Sequence, residues 1–172
     1  MNIAKTLAAS AVTASLLGAT VALATPASAL SWKCSTSSKS IDDAGYWGPV
    51  ADNWSFKVTN CAARSGSYAY AKSTIRWDAP WYYSGATETF DGAKFRVYIK
   101  RASTGSVLRY ATYDIQHRLE HSDASGNGSW TTPTISKRVG SSRAYGDGTL
   151  KLDWNNDGAG YRNYGFTGSR GI

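Results

Sequence analysis

Both histidines of this 172-residue chain fall within His117-Arg118-Leu119-Glu120-His121, beside one of its two glutamates. Two imidazoles four residues apart share one face of a helix and could hold a transition metal, with Glu120 as base for a bound water. On a strand the same pair would stand about 13 Å apart, too far to share an ion. Glu88 and Glu120 offer a second chemistry, the carboxylate pair of glycoside hydrolysis. Retention of configuration would require those carboxyl groups about 5–5.5 Å apart. A third option is a hard cation. Asp153-Trp154-Asn155-Asn156-Asp157-Gly158 is the first half of a calcium loop, with oxygen-bearing side chains at alternate positions. Position twelve is Tyr164 instead of a bidentate glutamate, so Asp153, Asn155 and Asp157 would need a carboxylate from elsewhere.

Each option has a plainer reading. H-x-x-E-H formally matches the inverted zinc-protease pattern, which works on a helix. That pattern also needs a glutamate downstream as third ligand, and none follows Glu120. Asp114 could cap a short helix, but the surroundings read as β, so a chance match on a polar loop is preferred. No glycosidase motif surrounds either glutamate. Residues 153–158, and the similar Asp123–Gly128, read equally as loops in which Asn and Asp bond their own backbone. Catalysis is therefore the least favoured class. No cofactor is expected, unless calcium.

Aromatic residues offer a binding chemistry instead. The chain has 7 Trp, 11 Tyr and 4 Phe. Trp81, Tyr82 and Tyr83 are consecutive after Pro80, so an extended backbone cannot bury all three on one side. Tyr46-Trp47-Gly48-Pro49 and Tyr161-Arg162-Asn163-Tyr164 read as loops. Flat aromatics on a rigid scaffold stack on sugar rings while nearby Asn, Asp and Arg bond the hydroxyls. The same residues could instead cap the ends of the fold, with the hydroxyl or indole N–H in water. Trp81–Tyr83 is the preferred platform.

Residues 1–29 place the protein. Lys5 starts a positive segment, Leu7–Leu23 is uncharged and apolar, and Thr25-Pro26-Ala27-Ser28-Ala29 ends in a small-x-small cleavage pattern. This reads as a secretory leader, followed by one domain over 30–172. Removing the leader takes away one lysine and lowers the net charge from +7 to +6. The remaining chain has no apolar run of the roughly 20 residues a membrane helix needs. A basic balance favours anionic partners. In an exported chain Cys34 and Cys61 are expected to form a disulfide, closing a loop of about 27 residues.

The elements that must position these groups are strands. Trp54, Phe56 and Val58 alternate with Ser55, Lys57 and Thr59. Ala69, Ala71, Ile75 and Trp77 oppose Tyr68, Tyr70, Lys72 and Arg76. Leu150, Leu152 and Trp154 alternate with Lys151 and Asp153. Turn signals such as Ser65-Gly66, Asp91-Gly92 and Asp147-Gly148 separate the runs. The pattern predicts an all-β, antiparallel sandwich or jelly-roll-like domain. A hairpin is expected over Ala93–Asp114, turning at Ala102-Ser103-Thr104-Gly105. Pairing Arg101 with Ser106 sets Ile99 against Leu108, Val97 against Tyr110 and Phe95 against Thr112 on the core face. Lys94, Arg96, Tyr98 and Lys100 then face out, with Tyr98–Arg109 and Lys94–Tyr113 as cation–π pairs. That outer face reads first as a solvated face whose charges discourage edge pairing, and second as a binding surface.

The expected function is a secreted, non-catalytic domain that binds carbohydrate or an anionic cell-envelope polymer through Trp81, Tyr82, Tyr83, Tyr98 and Arg109. The alternatives are a protein-binding module (inhibitor, toxin or competition factor) and a small extracellular hydrolase. Nucleic acid is the less expected partner.

Overall fold

The computed structural model describes residues 30–42, 53–80, 89–155 and 157–172. The expected leader, the Tyr46–Pro49 segment, the Trp81–Tyr83 platform and Glu88 lie outside these residues. The elements run β1 (Lys33–Ile41), β2 (Trp54–Ser65), β3 (Tyr68–Asp78), β4 (Phe90–Arg101), β5 (Val107–Asp114), α1 (Gln116–Glu120), β6 (Gly128–Thr131), β7 (Ile135–Arg138), β8 (Ala144–Trp154) and β9 (Arg162–Gly165). They form two antiparallel sheets. One has the order β1-β2-β3-β6, with β7 also paired to β3; the other is β5-β4-β8-β9. The all-β sandwich expected from the alternating pattern is the observed architecture. No helix among the described residues is long and apolar enough to cross a membrane.

The alternation works because each strand hides one face. Trp54, Phe56 and Val58 of β2, Ala71 and Ile75 of β3, Phe95, Val97 and Ile99 of β4 and Leu150, Leu152 and Trp154 of β8 are all buried in one core. Fully burying one such side chain contributes roughly 1.5–3 kcal/mol. At one end an aromatic cluster runs from Trp54, edge-on to Phe90 at 5.2 Å, to Trp154, tilted against Phe90 at 4.8 Å between centroids. At the other end the sheets come close enough to require glycine. A Cβ on Gly146 of β8 would meet the Cys61 carbonyl oxygen at 2.8 Å.

The two open sides of the sandwich are closed differently. On one, Tyr113 of β5 packs edge-on against Trp130 of β6 at 5.5 Å. On the other, residues 166–172 run beside β8. Phe166 N–H donates to the Gly148 carbonyl and Ser169 N–H to the Gly146 carbonyl, and Ile172 exchanges two bonds with Ala144. This segment is then tied to the other sheet. Thr167 N–H donates to Ser37 Oγ at 2.9 Å, and Asn60 Nδ2 donates to the Thr167 carbonyl at 2.9 Å.

Cys34 and Cys61 are direct partners in the β1–β2 register and form the expected disulfide, with Cα atoms 4.1 Å apart. It fixes β1, an edge strand, to the sheet.

The β4–β5 hairpin corrects the expected register. The turn is as read, with Gly105 at φ 69° and Arg101 N–H bonded to the Ser106 carbonyl at 2.9 Å. Beyond it a bulge opens: Lys100 pairs with Val107 but Ile99 pairs with Arg109, leaving Leu108 extra. Every later pair moves by one. Val97 faces Ala111, and Phe95 faces Tyr113. The charges on β4 stay outside because the extra residue is in β5, so only β5 changes faces. The expected Tyr98–Arg109 and Lys94–Tyr113 contacts do not form. Residues 162–165, read as loop, form β9 on the far edge of this sheet.

Candidate functional site

The outer face of β5-β4-β8-β9 carries the most organised set of chemically capable side chains among the described residues. β4 projects Lys94, Arg96, Tyr98 and Lys100 at every second position, as the strand period dictates. Register with β8 sets Lys151 directly opposite Lys94 and Asp147 opposite Tyr98. Like charges placed opposite one another repel. Here both cations lie over one aromatic ring. Tyr161, just before β9, lies under Lys94 Nζ at 4.6 Å and Lys151 Nζ at 5.5 Å. Its ring reaches across Gly92, where a Cβ would stand 2.1 Å from the phenol oxygen.

The motif of a cation over a tyrosine recurs along the face. The Arg96 guanidinium lies 4.7 Å from the Tyr110 ring and its Nε donates to Thr112 Oγ1 at 2.8 Å. Lys100 Nζ lies 4.8 Å from the Tyr98 ring and 2.5 Å from Asp147 Oδ2. Tyr98 and Tyr110 pair across the strands at 6.2 Å. Lys94, Arg96 and Lys151 have no carboxylate within ion-pair distance among the described residues, whereas Lys100 does.

Two of these ammonium groups titrate above their ordinary value. A hydrogen bond with Tyr161, then its charge, raises Lys94, with smaller help from Asp114 and Asp153. At Lys100 burial pulls the other way, but the hydrogen bond and charge of Asp147 outweigh it. Both stay charged throughout the neutral range.

The residues singled out in the sequence are distributed as follows. Tyr98 is on this face, half-buried. Arg109 pairs with Ile99, so it lies on the opposite side of the sheet, and the two do not meet. His117 lies on a helix after all and His121 follows it as the C-cap, while Asp114 Oδ1 accepts the Gln116 N–H at 3.0 Å. Their rings stack at 4.0 Å on its exposed side. Glu120 is turned away from them and buried. Its Oε1 accepts from Phe90 N–H at 3.2 Å and Gln116 Nε2 at 3.3 Å, so it braces the start of β4. The helix forms because Ile115 and Leu119 are both buried in the core, a tertiary anchor that local propensity does not reveal.

Asp153 faces outward from β8, and Asn155 N–H bonds the Thr89 carbonyl at 3.1 Å. Asp157 accepts Ala159 N–H at 2.8 Å and pairs with Arg162 at 3.0 Å. The Asp123 loop is likewise self-bonded, with Oδ1 accepting Ser125 and Asn127 N–H. Among the described residues no three His, Cys, Asp or Glu side chains gather where they could hold one metal ion.

Sequence reasoning missed Tyr161 as the ring shared by two lysines. Its partners are 67 and 10 residues away, on β4 and β8, and no local signal links them. It also placed Tyr110 in the core, where the bulge puts it outside at 55 % exposure. Compared with known proteins, the chain matches no family model and no curated sequence.

Proposed function

We propose that this is an exported, non-catalytic domain that binds an anionic glycan or cell-envelope polymer on the outer face of β5-β4-β8-β9. The observation that carries this reading is the repeated cation-over-tyrosine unit: Lys94 and Lys151 on Tyr161, Arg96 on Tyr110, Lys100 on Tyr98. A ring that holds a cation keeps it partly desolvated and aimed, which strengthens its bond to a carboxylate or phosphate. The exposed part of the same ring offers a flat apolar surface to a sugar. The row of units along β4 suits a linear polymer better than a single small molecule. The leader-like segment and the disulfide support an extracellular setting.

Sedimentation with insoluble chitin, cellulose and peptidoglycan, and affinity electrophoresis in soluble polygalacturonate, test the reading. Retention on the acidic polymers is expected, weakening as salt rises. Lys94→Ala/Lys151→Ala should cut it about tenfold, a loss of roughly 1.4 kcal/mol. Failure on every polymer would end the proposal.

A protein partner is the second reading. β5 is an edge strand, and it exposes Val107 at 49 % and Tyr110 at 55 %. An unpaired edge with apolar side chains is a place where another chain can add a strand. A protein co-purifying through β5 would favour it.

A further inference from the structure

The opposite face of the sandwich holds an arrangement with different chemistry. On the outer side of β1-β2-β3-β6, one row across the four strands is Thr36, Thr59, Thr74 and Thr131. The hydroxyls pair off, Thr36 with Thr59 at 2.7 Å and Thr74 with Thr131 at 2.9 Å. Each pair uses one hydroxyl proton internally and leaves the other free to donate outward. The next row sets Lys57 directly opposite Arg76. Two like charges in direct register cost stability, so something must offset them. Neither has a carboxylate within ion-pair distance among the described residues. Asp78, on the same face of β3, is approached by the Asn127 side-chain amide at 3.1 Å. Tyr161 lies under the lysine pair on the other face; among the described residues no ring lies over Lys57 or Arg76.

A hollow of about 370 Å³ opens over these two rows, lined by Thr36, Lys57, Thr59, Thr74 and Arg76. A second, of about 440 Å³, adjoins it and shares Lys57 and Arg76. Every side chain lining the first hollow is a hydrogen-bond donor, two are cations, and none is acidic. A ligand that complements it must be compact, anionic and made of acceptors. We propose that the Lys57–Arg76 hollow binds a tetrahedral oxyanion, a phosphate or sulfate group, between the two cations with threonine hydroxyls completing its shell. Charge-assisted bonds from Lys and Arg would hold it, and the hydroxyls would favour a tetrahedral over a planar group. This site does not depend on the Tyr161 face, since it lies on the other sheet.

The test is amide NMR titration of the full domain with inorganic phosphate, inorganic sulfate, a glycerol-phosphate polymer, dextran sulfate and neutral dextran. Saturable shifts at residues 57, 59, 74 and 76 are expected with every anion and absent with neutral dextran; shifts on the Tyr161 face report the other surface and do not count toward this site. Lys57→Gln/Arg76→Gln should weaken them at least about tenfold. Lys94→Ala should leave them unchanged. A polymer binding more tightly than free ion, per anionic group, identifies the ester as occupant; equal affinity identifies the free ion. Melting provides a second readout. Without anions the double variant should melt above the parent, because repulsion is gone; with phosphate only the parent should gain. Shifts that persist in the double variant, or a double variant that melts lower in anion-free buffer, would overturn the proposal.

Discussion

Ser73 donates to Asn60 Oδ1 at 2.6 Å in the middle of the apolar core, and the other end of the same amide holds the Thr167 carbonyl at 2.9 Å. Both residues are fully buried. One amide thus links β2, β3 and the closing segment 166–172. Asn60→Ala strands a hydroxyl and a carbonyl and should cost roughly 2–4 kcal/mol. Ser73→Ala removes one bond and should cost about 1–2 kcal/mol. The double variant should lose less than the two added together. Urea denaturation checks all three. A cost below about 0.5 kcal/mol for Asn60→Ala would show that the amide is not holding the segment.

Gly92→Ala separates stability from binding. Its methyl would occupy the place of the Tyr161 phenol, and Tyr161 is an exposed side chain that can swing aside. Stability should change by less than about 1 kcal/mol. Polymer retention should fall as far as in Tyr161→Ala. The Lys94 ammonium, no longer bonded to the phenol, should titrate lower than in the parent, as followed by side-chain NMR.

Alkaline stability should depend on Lys100. Its folded pKa lies above the ordinary 10.5, chiefly because Asp147 outweighs the effect of burial. The stabilisation is complete below the unfolded value and is lost as pH rises through the folded one. Melting temperature followed from about pH 9 to about pH 12 should therefore fall more steeply in the parent than in Lys100→Met. Identical slopes would mean that the Lys100–Asp147 pair adds nothing.

Reduction of Cys34–Cys61 should lower stability by roughly 3–4 kcal/mol on the loop-entropy account. Because β1 is an edge strand, its amides should lose exchange protection first. Hydrogen exchange with and without a reductant measures this. Uniform loss of protection across both sheets would contradict it.

What was legible in the sequence follows from where one face is buried and the other wet. β2, β3 and β8 alternate cleanly because Phe56, Ile75 and Leu152 meet the core while Lys57, Arg76 and Lys151 meet water. β5 does not. Val107 to Asp114 mixes apolar and polar residues on both faces, so its register is set by the bulge at Leu108 and by Tyr113 reaching Trp130. The short helix and β9 were hidden for a related reason, since each is held by distant contacts. The candidate site was half visible: β4 showed the outward row of Lys94, Arg96, Tyr98 and Lys100, but the ring under Lys94 arrives from Tyr161. The Lys57–Arg76 pair was readable only as two outward cations until the β2–β3 register placed them side by side.

Lys33 Nζ donates to the Gly171 carbonyl and Thr167 N–H to Ser37 Oγ, across separations of 138 and 130 residues. The first strand and the last residues are therefore neighbours, and the connectivity of the domain is close to a ring. A short flexible linker from Ile172 to the start of β1 at Lys33 would complete that ring. New ends could be opened in the exposed Ala102–Gly105 turn without removing a strand pairing. Such a circular permutant would carry fusion partners at the tip of the β4–β5 hairpin, far along the chain from the stitched edge.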